Sequence, residues 1–296
     1  MTATRLDNCP APAKLNLFLH IVGRRADGYH LLQSVFQLVD HGDLLHFQLR
    51  EDAQLRRVTD IAGVAPEQDL ILRAAALLRA EVLRRRGAAP PGVDIAIDKR
   101  LPMGGGLGGG SSDAATTLMA LNHLWGAGLT RAELMALGLP LGADIPFFLF
   151  GETAFVEGVG EAMQPVAAPD CWYVVIEPGV AVPTAAIFSA GDLTRNTEPV
   201  RIADFSSHHA NRSGLKGFGR NDLQQVATRL FPPVAEAVTW LGRYGDARMT
   251  GSGACVFCAF DDEEQADAAL SNVPAIWTAW KAKALSRHPL LAMLMQ

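Results

Sequence analysis

Six glycines crowd into the seven positions 104–110, within LPMGGGLGGGSSDAAT (residues 101–116), and the chain then turns to good helix formers. The start of a helix leaves backbone N–H groups unpaired and carries a partial positive charge. Glycines just ahead of it let the main chain come close to a ligand and take left-handed conformations. Together they make an anion cradle suited to the phosphates of a nucleotide. Ser111 and Ser112, where the helix is expected to begin, can cap it or offer hydroxyl oxygens to a phosphate or its metal. A linker would also be glycine-rich, but it would not be bracketed by the alternating VDIAIDK (93–99) and the helical DAATTLMALNHL.

The type of phosphate loop follows by exclusion. Gly104, Gly106 and Gly109 satisfy the dinucleotide pattern GxGxxG, but the acidic residue expected about 20 positions on would fall in a turn at 128–130. No Gly-Lys-Ser/Thr follows the glycines, and neither HRD nor DFG occurs, so Walker and protein-kinase signatures are absent. A second candidate group lies near the start. In KLNLFLHIV (14–22), Leu15, Leu17, Leu19 and Ile21 alternate with Lys14, Asn16, Phe18 and His20, as in a half-buried strand. That pattern puts Lys14 and Asn16 side by side on the more polar face.

The surrounding elements must position these groups. A turn at Asp27-Gly28 leads into SVFQLVDHGDLLHFQL, which suggests two strands about a Gly42-Asp43 turn. Asp69 can cap a helix whose apolar stripe runs from Leu70 to Val82; Arg84, Arg85 and Arg86 fill its last turn, and Gly87 ends it. The helix after the glycines is expected from Ser111 to about Leu124, with another from near Thr130. CWYVVIEPG (171–179) predicts a buried strand, and 189–220 a loop-dominated stretch. NDLQQVATRLFPPVAEAVTWL predicts two helices broken at Pro232-Pro233; ARMTGSGACVFCAF predicts strand, glycine turn, strand; and DDEEQADAAL opens a helix with acids in its first turn. Strands and helices mix without a βαβ repeat, which points to an α+β fold.

Composition bounds the function. The 296 residues suffice for two domains, and a formal charge of −5 gives no global attraction to nucleic acid or anionic membrane. The four cysteines are too few and scattered for a disulfide framework; Cys255 and Cys258 lie in the apolar ACVFCAF and predict buried strand thiols. No run reaches the ~18 apolar residues of a membrane span, so a cytoplasmic protein is expected.

Four stretches, in order, resemble the GHMP kinase superfamily: PAKLNLFLHIVGRRADGYH (12–30), PMGGGLGGGSSDA (102–114), LGADIPFFLFG (141–151) and TGSGACVF (250–257). In detail they are similar to the branch that phosphorylates a cytidine diphosphate alcohol of the non-mevalonate isoprenoid pathway. The resemblance implies a two-domain fold: an N-terminal domain like ribosomal protein S5 domain 2 (1–153) and a ferredoxin-like C-terminal domain (154–296). It implies ATP as co-substrate with Mg²⁺, and a monomer or weak homodimer. ATP would lie on Pro102, Met103, Gly104, Gly105, Gly106, Leu107, Gly108, Gly109, Gly110, Ser111 and Ser112. The resemblance makes Asp144 the base and Lys14 its partner. From residues alone, Asp144 two positions before Pro146 is an equally good helix N-cap, and Lys14 an ordinary strand-edge charge. Tyr29 and His30 would stack on and hydrogen-bond a cytosine, with Phe188 on the ring's other face and Asn16 on the polyol. Lys99 reads equally as a phosphate or ribose contact and as a solvated charge. Gly251, Ser252 and Gly253 read as a hairpin turn or, by the resemblance, as a second motif approaching the site from the C-terminal domain. No carboxylate is assigned to the metal. Two rivals stand: another GHMP kinase acting on homoserine, a sugar or mevalonate, and a nucleotide-binding regulator that has lost catalysis.

Overall fold

The computed structural model describes residues 3–211 and 217–295. Within them lie strands β1 (Arg5–Arg24), β2 (His30–Leu49), β3 (Leu55–Arg57), β4 (Val93–Asp98), β5 (Ala154–Gly158), β6 (Ala162–Pro165), β7 (Trp172–Glu177), β8 (Arg248–Met249), β9 (Val256–Phe260) and β10 (Thr278–Leu285). The helices are α1 (Leu70–Arg86), α2 (Gly109–Leu124), α3 (Arg131–Gly138), α4 (Ile145–Phe150), α5 (Thr184–Ser189), α6 (Ile202–Asn211), α7 (Gln224–Leu230), α8 (Pro232–Leu241), α9 (Glu263–Ser271) and α10 (Pro289–Met293). None is long and apolar enough to cross a membrane.

The long strand β2 organises the sheet. β1 pairs along one of its edges, while β5, β10 and β4 share the other in succession. Past β10 the antiparallel order continues through β7, β9 and β8. Helices α1, α2 and α4 cover the Ile95, Phe47 and Leu38 side of the first part. Residues of α7, α8 and α9 pack with Val174, Ile176 and Val256 in the second. Between these two cores, Leu15, Leu17 and Phe18 of β1 meet Tyr173 of β7 and Phe257 of β9. β5 and β6, which follow residue 153, extend the sheet from β2.

Two features of β1 and β2 depart from expectation. β1 is buried on both faces, not one, because both cores close over it: Leu15, Leu17 and Phe18 are all inaccessible. Its register slips between Asn16 and Leu19, and that bulge lets the consecutive Leu17 and Phe18 share one cluster. β2 passes straight through Gly42, where a turn was expected. The partner of Pro12 is Gly42 but that of Ala13 is Val39, so Asp40 and His41 bulge out, and a Cβ at Gly42 would overlap the Ala11 carbonyl oxygen. The glycine permits a close approach of strands instead of reversing the chain.

Local signals elsewhere were reliable. The Asp69 side chain caps α1 by accepting from the Ile71 N–H at 2.9 Å, and Gly87 ends it in the left-handed conformation at φ 71°. Thr130 and Glu133 form a reciprocal capping box at α3. Cys255 and Cys258 are buried free thiols. The 189–220 stretch contains a helix, α6, whose Phe205 is buried with Phe18.

Gly42→Ala forces β1 and β2 apart at the bulge. It should lower stability by about 1–3 kcal/mol in denaturant unfolding; wild-type stability would contradict the close approach.

Candidate active site

The glycine loop wraps one wall of a cavity of about 360 Å³, and Pro102 to Ser111 all line it. Gly104, Gly106 and Gly108 hold φ of 71°, 75° and 73°, the left-handed region where a side chain is strained. Gly108 is the N-cap of α2 and has no side chain to cap it, so the first-turn amides stay open to a ligand. The helix thus begins two residues before Ser111. Ser112 stands behind the loop: it is fully buried and its hydroxyl donates to the Pro12 carbonyl at 2.7 Å. Its contribution is to fasten α2 to β1.

Lys14 is 3% exposed, beside the helix start. A Cβ on Gly108 would lie 3.3 Å from Lys14 Cγ, and the Lys14 N–H donates to the Leu107 carbonyl at 3.0 Å. Its Nζ donates to Asn16 Oδ1 at 2.6 Å, lies 3.9 Å from Asp144 Oδ2 and stands 4.7 Å from the centre of the Phe36 ring. Burial pushes the ammonium's pKa below the ordinary lysine value, and the Asp144 charge opposes that fall. Asp144 occupies the N-cap position of α4 but makes no side-chain cap hydrogen bond. Its carboxylate is 36% exposed and faces Lys14.

Asn16 is spent within the protein. Its Oδ1 accepts from Lys14 Nζ, from the Gly251 N–H at 2.9 Å and from Thr250 Oγ1 at 3.2 Å, while Nδ2 donates to Ser34 at 3.0 Å. The second glycine motif is therefore built onto the first. A Cβ at Gly106 would overlap the Thr250 carbonyl oxygen, and the Cys255 N–H donates to Gly105 O at 3.1 Å. Ser252 bonds Thr184, the first residue of α5, at 2.8 Å. Thr250 carried no signal in the sequence beyond its neighbouring glycines.

Lys99 is neither solvated nor alone. Its Nζ bonds Asp43 and lies 3.3 Å from Asp113 Oδ2, at the mouth of the same cavity. Burial opposes the ammonium, yet Asp113 and Asp43 together keep its pKa above the ordinary value. Burial drives the Asp113 carboxyl well above the usual carboxylate range, with Lys99 opposing.

Phe188 on α5 and His30 at the start of β2 form an aromatic corner, their ring centres 4.9 Å apart and tilted by 36°. Arg195 holds it: Nε donates to His30 Nε2 at 3.2 Å and Nη2 to the Phe188 carbonyl at 3.0 Å. Burial, with Arg195 and Arg24, lowers the His30 pKa, which keeps the ring neutral near pH 7. Tyr29, next in the chain, is 66% exposed. Nothing in the polar segment around Arg195 marked it in advance. A larger hollow of about 790 Å³, between Pro165–Asp170 and Lys283–Arg287, holds none of these groups. Its charges are already paired, Lys283 with Asp170 and Arg287 with Glu152.

Comparison with known proteins agrees with this geometry. The GHMP kinases N terminal domain matches residues 69–152 and the GHMP kinases C terminal domain residues 202–279. The chain is 65% identical over 290 residues to 4-diphosphocytidyl-2-C-methyl-D-erythritol kinase of Janthinobacterium sp. (strain Marseille), covering 98% of each chain. It is 65% identical to the same enzyme of Herminiimonas arsenicoxydans, with 96% and 97% covered. The chain belongs to the 4-diphosphocytidyl-2-C-methyl-D-erythritol kinases of the GHMP group. A crystal structure of 4-(cytidine 5'-diphospho)-2C-methyl-D-erythritol kinase superposes with a TM-score of 0.81 at 34% identity, over 95% of this chain and 98% of that one. Homoserine kinase from Cytophaga hutchinsonii, at 15% identity and a TM-score of 0.68, shares the fold. As a kinase of this family the chain takes ATP as co-substrate, which the uncapped start of α2 suits.

A Lys14 ammonium that serves the reaction beside Asp144 should make kinase activity fall on the alkaline side. The direction of its shift puts that limb below the ordinary lysine value of about 10.4. A pH profile of kcat/KM whose limb lies at or above that value would contradict a buried, functional Lys14.

Proposed function

We propose that the chain transfers the γ-phosphoryl group of ATP to the 2-hydroxyl of 4-diphosphocytidyl-2-C-methyl-D-erythritol, a step in non-mevalonate isoprenoid precursor synthesis. The supporting observation is the packing of Lys14, with Asp144 3.9 Å from its Nζ, against Gly108, the N-cap of the helix that would receive phosphate. A γ-phosphate held by the α2 amides has that pair beside it.

In this reading the acceptor hydroxyl gives its proton to the Asp144 carboxylate as its oxygen bonds to the γ-phosphorus. The bond from that phosphorus to the β–γ bridging oxygen breaks, and ADP leaves. The Lys14 ammonium balances charge on the transferring group. Asn16 acts through Lys14, since its amide oxygen holds Nζ in place, and one of its two amide N–H groups goes to Ser34. The phosphates bind to the amides of the glycine loop, with Ser111 at the open end. Among the described residues no three His, Cys, Asp or Glu side chains converge on a metal site. That fits a Mg²⁺ carried mainly by the triphosphate, with Ser111 as the protein donor at hand. When bound, the ion neutralises β- and γ-phosphate oxygens.

At the other end His30, Phe188 and Tyr29 take the cytosine. A neutral His30 can hydrogen-bond the base edge without forcing a charge against it, and Phe188 supplies a stacking face. An aliphatic acceptor such as homoserine has no use for this corner.

Asp144→Asn keeps the size of the group but cannot take a proton. It should cut kcat by at least ~10² while the ATP affinity holds; near-normal turnover in a coupled ADP-release assay would remove the base role. Phe188→Ala and Tyr29→Ala should each raise KM for the cytidine substrate up to about tenfold, with KM for ATP unchanged. An unchanged acceptor KM in both would move the cytosine elsewhere.

A further inference from the structure

The nucleotide cavity has a second wall, facing the glycine loop, whose shape depends on one buried cation. Ile61, Val64, Gln68 and Leu70 line it. The first three belong to the connection 58–69 between β3 and α1, and Leu70 opens the helix. Short turns run through this connection, from the Val64 N–H to Ile61 O and from the Gln68 N–H to Ala65 O. Its backbone joins the sheet at its start, where the Val58 N–H donates to Ile95 O and Thr59 Oγ1 accepts from the Ile97 N–H, and Ile61 packs on the core that holds Ile95 and Ile97.

Arg57, the last residue of β3, reaches back over this connection. Its side chain is 6% exposed, and Nε lies 2.6 Å from Oδ2 of Asp69, itself 3% exposed. Nη1 donates to the Thr59 carbonyl at 2.5 Å and Nη2 to the Val64 carbonyl at 3.3 Å. Asp69 meanwhile caps α1 through its other oxygen. These guanidinium partners all come from residues 59–69, so the side chain ties the segment both to β3 and to itself. It sets the curvature of the segment itself. A buried ion pair is weak evidence for stability, because desolvation offsets its attraction; a planar group that donates to two carbonyls of one segment, with a carboxylate of the same segment in ion-pair contact, favours one fixed shape.

The shaped wall is mostly apolar, with Gln68 and Asp69 as its polar side chains, while the facing wall is bare backbone at a helix start. The phosphates belong to the backbone side, which leaves the apolar wall for a flat ring with a polar edge. We propose that Arg57 is a positioning residue for the base of ATP: by holding Thr59, Val64 and Asp69 it presents Ile61, Val64, Gln68 and Leu70 to the purine. The proposal rests on the reading of the chain as an ATP-dependent kinase.

The test compares two probes that share the phosphate cradle. A non-hydrolysable ATP analogue and inorganic tripolyphosphate are titrated calorimetrically against wild type and Arg57→Met, each with Mg²⁺. Arg57→Met should weaken the analogue at least ~10-fold and tripolyphosphate less than ~2-fold, with kcat at saturating ATP and KM for the acceptor held. Arg57→Lys, which keeps the charge but not the fork, should fall between. Equal weakening of both probes marks a purely structural role and overturns the proposal, as does an unchanged analogue affinity. Should Arg57→Met fail to fold, Asp69→Asn keeps the α1 cap acceptor while removing the carboxylate charge. It should weaken the analogue selectively by at least ~3-fold, and the same two contrary outcomes overturn the proposal. Wild-type enzyme that binds the analogue yet phosphorylates no alcohol would sink the kinase reading instead, leaving the comparison of probes intact.

Discussion

A lysine ammonium buried in the central strand is the constraint around which the site is arranged. Taking that charge out of water is unfavourable unless its donors are met, and Asn16, Asp144 and the Phe36 ring meet them. Asn16 lies two residues from Lys14 on β1, so the lysine's principal partner is fixed by the same strand. The amide oxygen that receives Nζ also receives the Gly251 N–H and Thr250 Oγ1. One oxygen thus joins the catalytic lysine, the strand at the middle of the molecule and the turn between β8 and β9. Displacing that oxygen would leave a buried cation and a buried amide short of partners, each costing on the order of 1–3 kcal/mol.

The two ends of the site use different physics. In the proposed reaction backbone amides grip the triphosphate, and they require glycines because φ near +70° and contacts to Thr250, Phe148 and Lys14 leave no space for a Cβ at Gly106 and Gly108. Side chains would hold the acceptor's base there, and Arg195 fixes them by bonding both His30 and the end of α5. The ends are connected: Ser252 touches Thr184 at the head of α5, while its neighbour Gly251 packs against Gly106. A change in either glycine turn is therefore felt by the helix that carries Phe188.

What the sequence made legible was what depends on near neighbours. The cradle could be read because glycines, a preceding strand and a following helix are consecutive between Val93 and Leu124, and the α1 and α3 caps follow from side chains two or three positions away. Lys14 and Asn16 were correctly placed together, because alternation along a strand is local. Their surroundings were not legible. The bulge at Leu17–Phe18 and the straight passage through Gly42 depend on β1 and β2 meeting in a particular register, and the sealing of both faces of β1 depends on β7 and β9, more than 150 residues away. The partners of Asn16 were out of sight for the same reason, since Ser34 and Gly251 approach it only in the folded chain. Arg57 lay in an exposed-looking, charge-rich stretch, and nothing near it announced three partners.

Asp144 shows how a local reading can be sound and still miss the outcome. Aspartate before a proline at a helix start is well suited to capping, and the residue does hold the N-cap position of α4. Its side chain is nonetheless unused there, because the amides a cap would serve are already satisfied or missing. The Ile145 N–H donates to Gly142 O at 3.2 Å, Pro146 has no N–H, and the Phe147 N–H donates to the Asp144 carbonyl at 3.1 Å. The tight turn through Gly142 and the proline together remove the task that would have drawn the carboxylate inward. It is left to Lys14 and to solvent, as the proposed base requires. The helix start serves to aim Asp144, and the same three residues that define the helix keep its carboxylate available.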